Sequence, residues 1–218
     1  LMVKVLLANQ DFVLARELVV VFNSKLLRDR FLNRIQRAES SFDAKYHASV
    51  IKLMNRFDHL ATNSLNRQQM ILKRALKLPS HYFINVTRRL LTDPFLQPLM
   101  RVNLLNILRK MVLDLKVKFR WLDRKIYLID LTQLVALSQT SIYQRVMKAV
   151  NGLHLKNSFF KLNLKQDLRL ELIYLYPYGQ RVITEPQRWV QIGSLKLKNQ
   201  QPAFTNSQDR RIYKWQVK

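Results

Sequence analysis

Residues 78–129 read LPSHYFINVTRRLLTDPFLQPLMRVNLLNILRKMVLDLKVKFRWLDRKIYLI, and this stretch decides the fold. In its first part, apolar residues recur at helical spacing on both sides of an Asp-Pro step. The pattern predicts one helix over 81–91 and a second over 94–110. Asp93 is expected to cap the second helix, with Pro94 at its first position, where the missing N–H of proline costs nothing.

The period of the pattern then changes from helical to two. Apolar and charged residues alternate over 113–120, which is typical of a strand with one buried face. Residues 121–124 (WLDR) supply a turn, and a second β-rich run follows over 125–129. We predict a β-hairpin near 113–129, with its apolar face on the helices and its basic face in water.

Helical patterns also cover most of the chain on either side. Residues 1–22 predict two short helices joined by a polar turn, and 25–60 predict a long helix that the Glu39-Ser40-Ser41 step divides. Ser80 is expected to cap the helix over 81–91. Helices are further expected over 140–150, from Ser158 to about residue 175, and after Pro186. The chain has 3 Gly, and because the many tight turns of a sandwich or barrel use glycine, this count favours helices.

Four features of the sequence carry a family resemblance: the steps Leu78-Pro79 and Asp93-Pro94, the strand pair that follows them, and the late Tyr176-Pro177-Tyr178. In these features the chain resembles an uncharacterised tetratricopeptide-like family of low-G+C Gram-positive bacteria and mycoplasmas. The resemblance covers roughly 1–195. It implies a mostly α fold of stacked antiparallel helical hairpins, a tetratricopeptide-like α-α superhelix, with the one small β-hairpin. We predict a helical-hairpin region over 1–110, the β-hairpin and C-terminal helices on the same core over 111–198, and a loosely ordered tail over 199–218.

Composition argues against an enzyme, a metal site or a bound cofactor. The chain has no Cys, and its four His include no pair at i, i+3 or i, i+4. Three Gly, at 152, 179 and 193, cannot form a phosphate-binding loop. Apolar runs are far shorter than the roughly 20 residues of a membrane-spanning helix. The lack of Cys fits a reducing compartment, and we expect a cytoplasmic protein; the pattern specifies no oligomeric state.

Charge is the strongest functional signal, with 38 Lys+Arg against 14 Asp+Glu and a formal net charge of +24 on 218 residues. The cations fall in stripes at helical or strand spacing. Candidate contacts to an anion or nucleic acid are Arg30, Arg34, Arg37, Lys116, Lys118, Arg120, Arg124, Lys125, Lys161, Lys165 and Arg169. Each stripe alone is also what the solvated face of an amphipathic helix or strand looks like.

Two hypotheses for function follow. The first is a non-enzymatic helical-repeat scaffold that binds a protein or peptide partner. The second is a basic module that binds nucleic acid, either RNA or as part of a ribosome-associated role, because a net charge of +24 favours anionic partners. A compositional bias toward Lys and Arg would produce the same excess of charge without either function.

Overall fold

A computed structural model describes residues 2–153 and 157–200, together with 207, 209, 210 and 212. Of these residues, 69% are helical, and the strands among them form one two-stranded antiparallel sheet. The predicted class, mostly helical with one small β-hairpin, is confirmed. The chain divides into two compact units, Leu1–Leu134 and Val135–Lys218.

Unit 1 is organised around one long helix. Its described residues form the helices α1 (Met2–Ala8), α2 (Phe12–Val19), α3 (Lys25–Asp58), α4 (Leu65–Ala75), α5 (Ser80–Leu90) and α6 (Pro98–Lys110). Helix α3 is central because α1, α2, α4 and α5 all pack against it. Its buried Phe57 stacks on Phe83 of α5, with ring centroids 5.3 Å apart.

We expected the long helix to divide at the polar step Glu39-Ser40-Ser41. Its distortion lies further along the chain, seven residues after Glu39. Helical hydrogen bonding is continuous through Glu39, whose side chain is buried although it is charged. The non-helical dihedral angles lie instead at Tyr46, with φ −125° and ψ 26°. A polar run therefore does not end this helix, because other elements supply partners for the buried carboxylate.

Helix α6 begins at Pro98 and not at Pro94 as the Asp-Pro step predicts. Gln97 is its N-cap residue, and Pro98 occupies the first turn. A helix beginning at Pro94 would place Pro98 in its interior, where the ring clashes with the carbonyl four residues earlier. Asp93 is consequently not a helix cap; its Oδ1 accepts a hydrogen bond from the Phe95 N–H at 2.8 Å.

The hairpin consists of β1 (Lys116–Arg120) and β2 (Ile126–Asp130), paired antiparallel with Lys118 opposite Leu128. Its inner face buries Val117, Phe119 and Ile129. An isolated two-stranded hairpin is marginal in water, and this one docks on the end of α5 through the Arg120 N–H and the Leu91 carbonyl at 2.9 Å. The hairpin belongs to unit 1, whereas the sequence pattern grouped it with the later helices.

Unit 2 contains three mutually packed helices within its described residues: α7 (Ser141–Asn151), α8 (Ser158–Leu175) and α9 (Pro186–Leu197). Their apolar faces meet at buried residues such as Val146, Leu168 and Trp189. The predicted loose tail lies mostly outside the described residues, but Asp209 is buried and accepts hydrogen bonds from Arg188 at 2.5 and 2.7 Å.

Among the described helices of both units, none combines the length and the apolar character needed to cross a membrane.

Candidate functional site

A basic cleft of about 520 Å³ opens in unit 1 between α5 and the outer face of the hairpin. One wall is formed by residues of α5 and of the turn that follows it, and the other wall by the two strands. The lining residues are Asn85, Arg88, Arg89, Thr92, Lys116, Lys118 and Leu128. Four of these seven side chains are cationic, and none is acidic.

The local sequence explains why these cations face the cleft. Alternation in β1 buries Val117 and Phe119 and therefore directs Lys116 and Lys118 to the opposite, exposed face. On α5, Arg88 and Arg89 lie in the last turn. Positive side chains at that position also interact favourably with the C-terminal end of the helix dipole. The cleft thus brings together the basic face of β1 and the basic last turn of α5, and the local sequence of each element accounts for its own cations.

Acidic neighbours compensate only part of this charge. Arg89 forms an ion pair with Asp58 at 2.9 Å, and Lys116 lies opposite Asp130 in the sheet. Hydrogen bonds from Thr132, followed by the charge of Lys116, hold the pKa of Asp130 below its ordinary value of 3.8.

Two further cations have no such neighbour. Within the described residues, neither the side chain of Arg88 nor that of Lys118 forms a hydrogen bond or ion pair, so the cleft remains positively charged.

A further cation, Arg101 on α6, is buried and bonded to the loop that links α5 to α6. Arg101 is 5% exposed and donates to the backbone carbonyls of Asp93 and Leu96, at 2.7 and 2.8 Å. Burial, followed by the nearby charge of Arg120, lowers the pKa of Arg101, and the charge of Asp93 opposes this shift. The guanidinium is therefore bound by carbonyl dipoles and adds to the positive potential of this region.

The same loop presents an exposed aromatic side chain. Phe95 is 83% exposed, whereas the next residue, Leu96, is buried. The Asp93 carboxylate fixes the backbone of Phe95 from one side, and Arg101 fixes the carbonyls of Asp93 and Leu96. Thr92, three residues before Phe95, lines the cleft, so the Phe95 Cα is at most about 11 Å from the Cα of a cleft residue.

Of the cations predicted from sequence, two line the basic cleft. Lys116 and Lys118 lie in the cleft, and Arg124 and Lys125 are exposed in the hairpin turn. The stripe of Arg30, Arg34 and Arg37 is exposed on α3 and does not line this cleft, and Lys165 and Arg169 lie on α8 in unit 2.

Two of the predicted cations have structural partners. The Arg120 side chain donates to the carbonyls of Thr92 and Arg124, at 3.0 and 2.9 Å. Lys161 donates to the carbonyls of Asn151 and Leu153, at 2.9 and 3.4 Å. Sequence reasoning missed Arg88 and Arg89, whose adjacent positions just before the Asp-Pro step were a usable signal.

A second, polar cleft of about 590 Å³ lies among α2, α3 and α5. Its lining residues are Arg16, Gln36, Glu39, Ser40, Asp43, Ala44, His47 and His81. The Asp43 carboxylate accepts from Tyr82 Oη and contacts His47 Nδ1, both at 3.1 Å. In the part of the chain that the structure describes, no three His, Asp or Glu side chains are grouped so as to bind a metal ion.

The chain matches no family model, no curated protein and no solved structure.

Proposed function

We propose that this chain is a non-enzymatic, tetratricopeptide-like helical scaffold that binds nucleic acid in its basic cleft. The observation that carries the proposal is the meeting of cations from two elements, Arg88 on α5 with Lys116 and Lys118 on β1. Because the side-chain cations of Arg88 and Lys118 have no acidic or hydrogen-bonding partner among the described residues, a bound phosphate would supply the counter-charge there. Exposed Lys and Arg side chains are the groups that bind nucleic-acid phosphates, and the resulting affinity is largely independent of sequence.

The net charge supports the same partner at longer range. A protein of formal charge +24 attracts a polyanion from any direction and raises the rate of encounter, most strongly at low ionic strength. This long-range field acts at the whole surface, whereas the cleft supplies a place where phosphates meet fixed cations. The long-range attraction therefore falls when a cation is removed anywhere on the surface, whereas the local phosphate contacts are lost only when cations of the cleft are replaced.

A salt titration separates these contributions. Replacing Arg88, Lys116 and Lys118 with Gln should weaken the binding of a mixed-sequence RNA, measured by fluorescence anisotropy. The slope of log affinity against log salt should fall by about 0.7–0.9 for each phosphate that the variant no longer binds. All three side chains are exposed, so the thermal unfolding curve should be nearly unchanged.

The matched control removes the same charge elsewhere in unit 1. Replacing Arg30, Arg34 and Arg37 on α3 with Gln lowers the net charge equally and leaves the lining of the cleft intact. We expect this variant to lose distinctly less affinity than the cleft variant. Equal losses, or a wild-type protein that does not bind RNA at about 50 mM salt, would contradict the proposal.

A protein or peptide partner is the second candidate function, and the polar cleft is the observation that favours it. Asp43 lines this cleft, and its carboxylate, which accepts a hydrogen bond from Tyr82 Oη, suits a Lys or Arg side chain of a basic peptide. Calorimetry with a Lys/Arg-rich peptide tests this candidate. Asp43→Asn should weaken the binding of the peptide and leave RNA binding unchanged. Equal affinity of the peptide for wild type and variant would contradict this second candidate function.

A further inference from the structure

We propose that the ligand of the basic cleft is a single strand of nucleic acid, with an unpaired base stacked on Phe95. This inference rests on the proposed function, because it concerns the same site and names the class of nucleic acid that fits it. The cations of the cleft explain affinity for phosphate and are indifferent to whether the strand is paired. Two apolar side chains, Phe95 and Leu128, distinguish a single strand from a duplex.

The first apolar group is Phe95 itself, which is exposed over 83% of its surface on an ordered loop. Its backbone N–H is bound to Asp93, and Arg101 binds the carbonyls of Asp93 and Leu96. Since this loop is already fixed, little conformational entropy is lost when a ligand contacts the ring. Exposed aromatic rings beside a cationic groove are the surfaces on which bases of single strands stack.

The second apolar group lies within the cleft. Leu128 is 65% exposed and is the cross-strand neighbour of Lys118, so an apolar surface adjoins a free cation. A phosphate needs only the cation, whereas a base or sugar gains from contact with the leucine side chain. In a duplex the base faces are stacked on one another and cannot reach either Leu128 or Phe95.

The dimensions of the site also favour one strand. A volume of about 520 Å³ lies within the range of pockets that enclose one small molecule, about 300–1,000 Å³, which suits a nucleotide. Thr92 lines this cleft, and the Phe95 Cα can lie no more than about 11 Å from the Thr92 Cα. A strand of a few nucleotides can therefore place one nucleotide in the cleft and stack another on Phe95.

The inference is tested with an RNA of about 16 nucleotides and the duplex that it forms with its complement, both titrated against the protein by fluorescence anisotropy. Wild-type protein should bind the single strand more tightly than the duplex. Phe95→Ala should weaken single-strand binding by about 5- to 150-fold, the range that one base–aromatic stack provides. The salt slope and duplex binding should stay unchanged, and Phe95→Trp should retain the affinity for the single strand.

Phe159→Ala is the matched control, because Phe159 is a similarly exposed phenylalanine, 69% exposed on α8, and no residue next to it in sequence lines the basic cleft. We expect this variant to bind like wild type. If single strand and duplex bind equally well, or if Phe95→Ala has no effect, the inference is overturned and the proposed phosphate contacts remain. If neither RNA binds, the proposed function itself fails.

Discussion

The side chain of Glu39, on α3, accepts a hydrogen bond from the backbone N–H of Ser80, the first residue of α5, at 3.1 Å. The Ser80 hydroxyl donates to the same carboxylate oxygen. Arg16 of α2 donates to both oxygens, at 3.0 and 3.3 Å. One buried carboxylate thus joins three helices and provides the negative charge that a helix N-terminus favours. Ser80 is therefore not the cap that we expected; the cap comes from a residue that is remote in sequence.

Removing this carboxylate should destabilise unit 1 strongly. Glu39→Ala leaves the Ser80 N–H and the Arg16 guanidinium without their shared acceptor in a site where Glu39 is 5% exposed. Loss of one partner of a buried ion pair costs about 3–5 kcal/mol. We expect a decrease of that size in the free energy of unfolding, measured by urea denaturation.

An exposed ion pair of the same unit is the control. Asp58 and Arg89 are 2.9 Å apart with side chains 36% and 57% exposed, so Asp58→Ala should cost no more than about 1 kcal/mol. If the two alanine variants lost equal stability, the special role assigned to Glu39 would be wrong.

Much of the fold follows from local pattern. The change of period near residue 113 located the hairpin, because alternation of side chains is a property of the strand itself. The burial of Glu39 was not predictable in this way, since its partners Arg16 and Ser80 lie 23 and 41 residues away. A charged residue enters a core only when distant elements satisfy it, and a single sequence does not show which elements meet.

In the candidate site, too, some residues could be predicted from local sequence, whereas others depend on tertiary packing. Lys116 and Lys118 were predicted from strand alternation, and both line the basic cleft. Arg88 was missed, because the polar face of α5 approaches the hairpin only through tertiary packing. Arg120 shares the face of Lys118, but its side chain donates to the Thr92 carbonyl, which spacing in the sequence does not indicate.

The start of α6 can be tested by strengthening its cap. Gln97 is the N-cap residue, and its side chain makes no capping hydrogen bond. Gln97→Asp should stabilise the protein by about 0.5–1 kcal/mol, because an Asp side chain accepts from free N–H groups of the first turn and interacts favourably with the helix dipole. Thermal unfolding monitored by circular dichroism measures the gain.

Gln97→Ser distinguishes capping from the effect of charge, since serine caps a helix without lowering the net charge. We expect it to stabilise the protein as well. A helix that started at Pro94 would place position 97 inside the first turn, where Ser has lower helix propensity than Gln. Destabilisation by Gln97→Ser would therefore support that earlier start and contradict the one at Pro98.

Alkaline pH should weaken unit 1 through Tyr82. Burial, together with the hydrogen bond that its hydroxyl donates to Asp43, raises the pKa of Tyr82 above its ordinary value of 10.0. A group whose pKa is raised on folding binds more protons in the folded state than in the unfolded state at alkaline pH. The stability that it contributes is therefore fully present below pH 10.0 and is lost as the pH rises through the folded-state pKa.

Comparison with Tyr82→Phe isolates this contribution. The variant should be less stable than wild type near pH 7, because it lacks the partly buried hydrogen bond to the Asp43 carboxylate. The difference in unfolding free energy should shrink as the pH approaches about 11, where the tyrosine of the unfolded wild-type chain is ionised. Urea denaturation at a series of pH values measures it. A difference that stays constant from neutral to alkaline pH would show that Tyr82 does not titrate with folding.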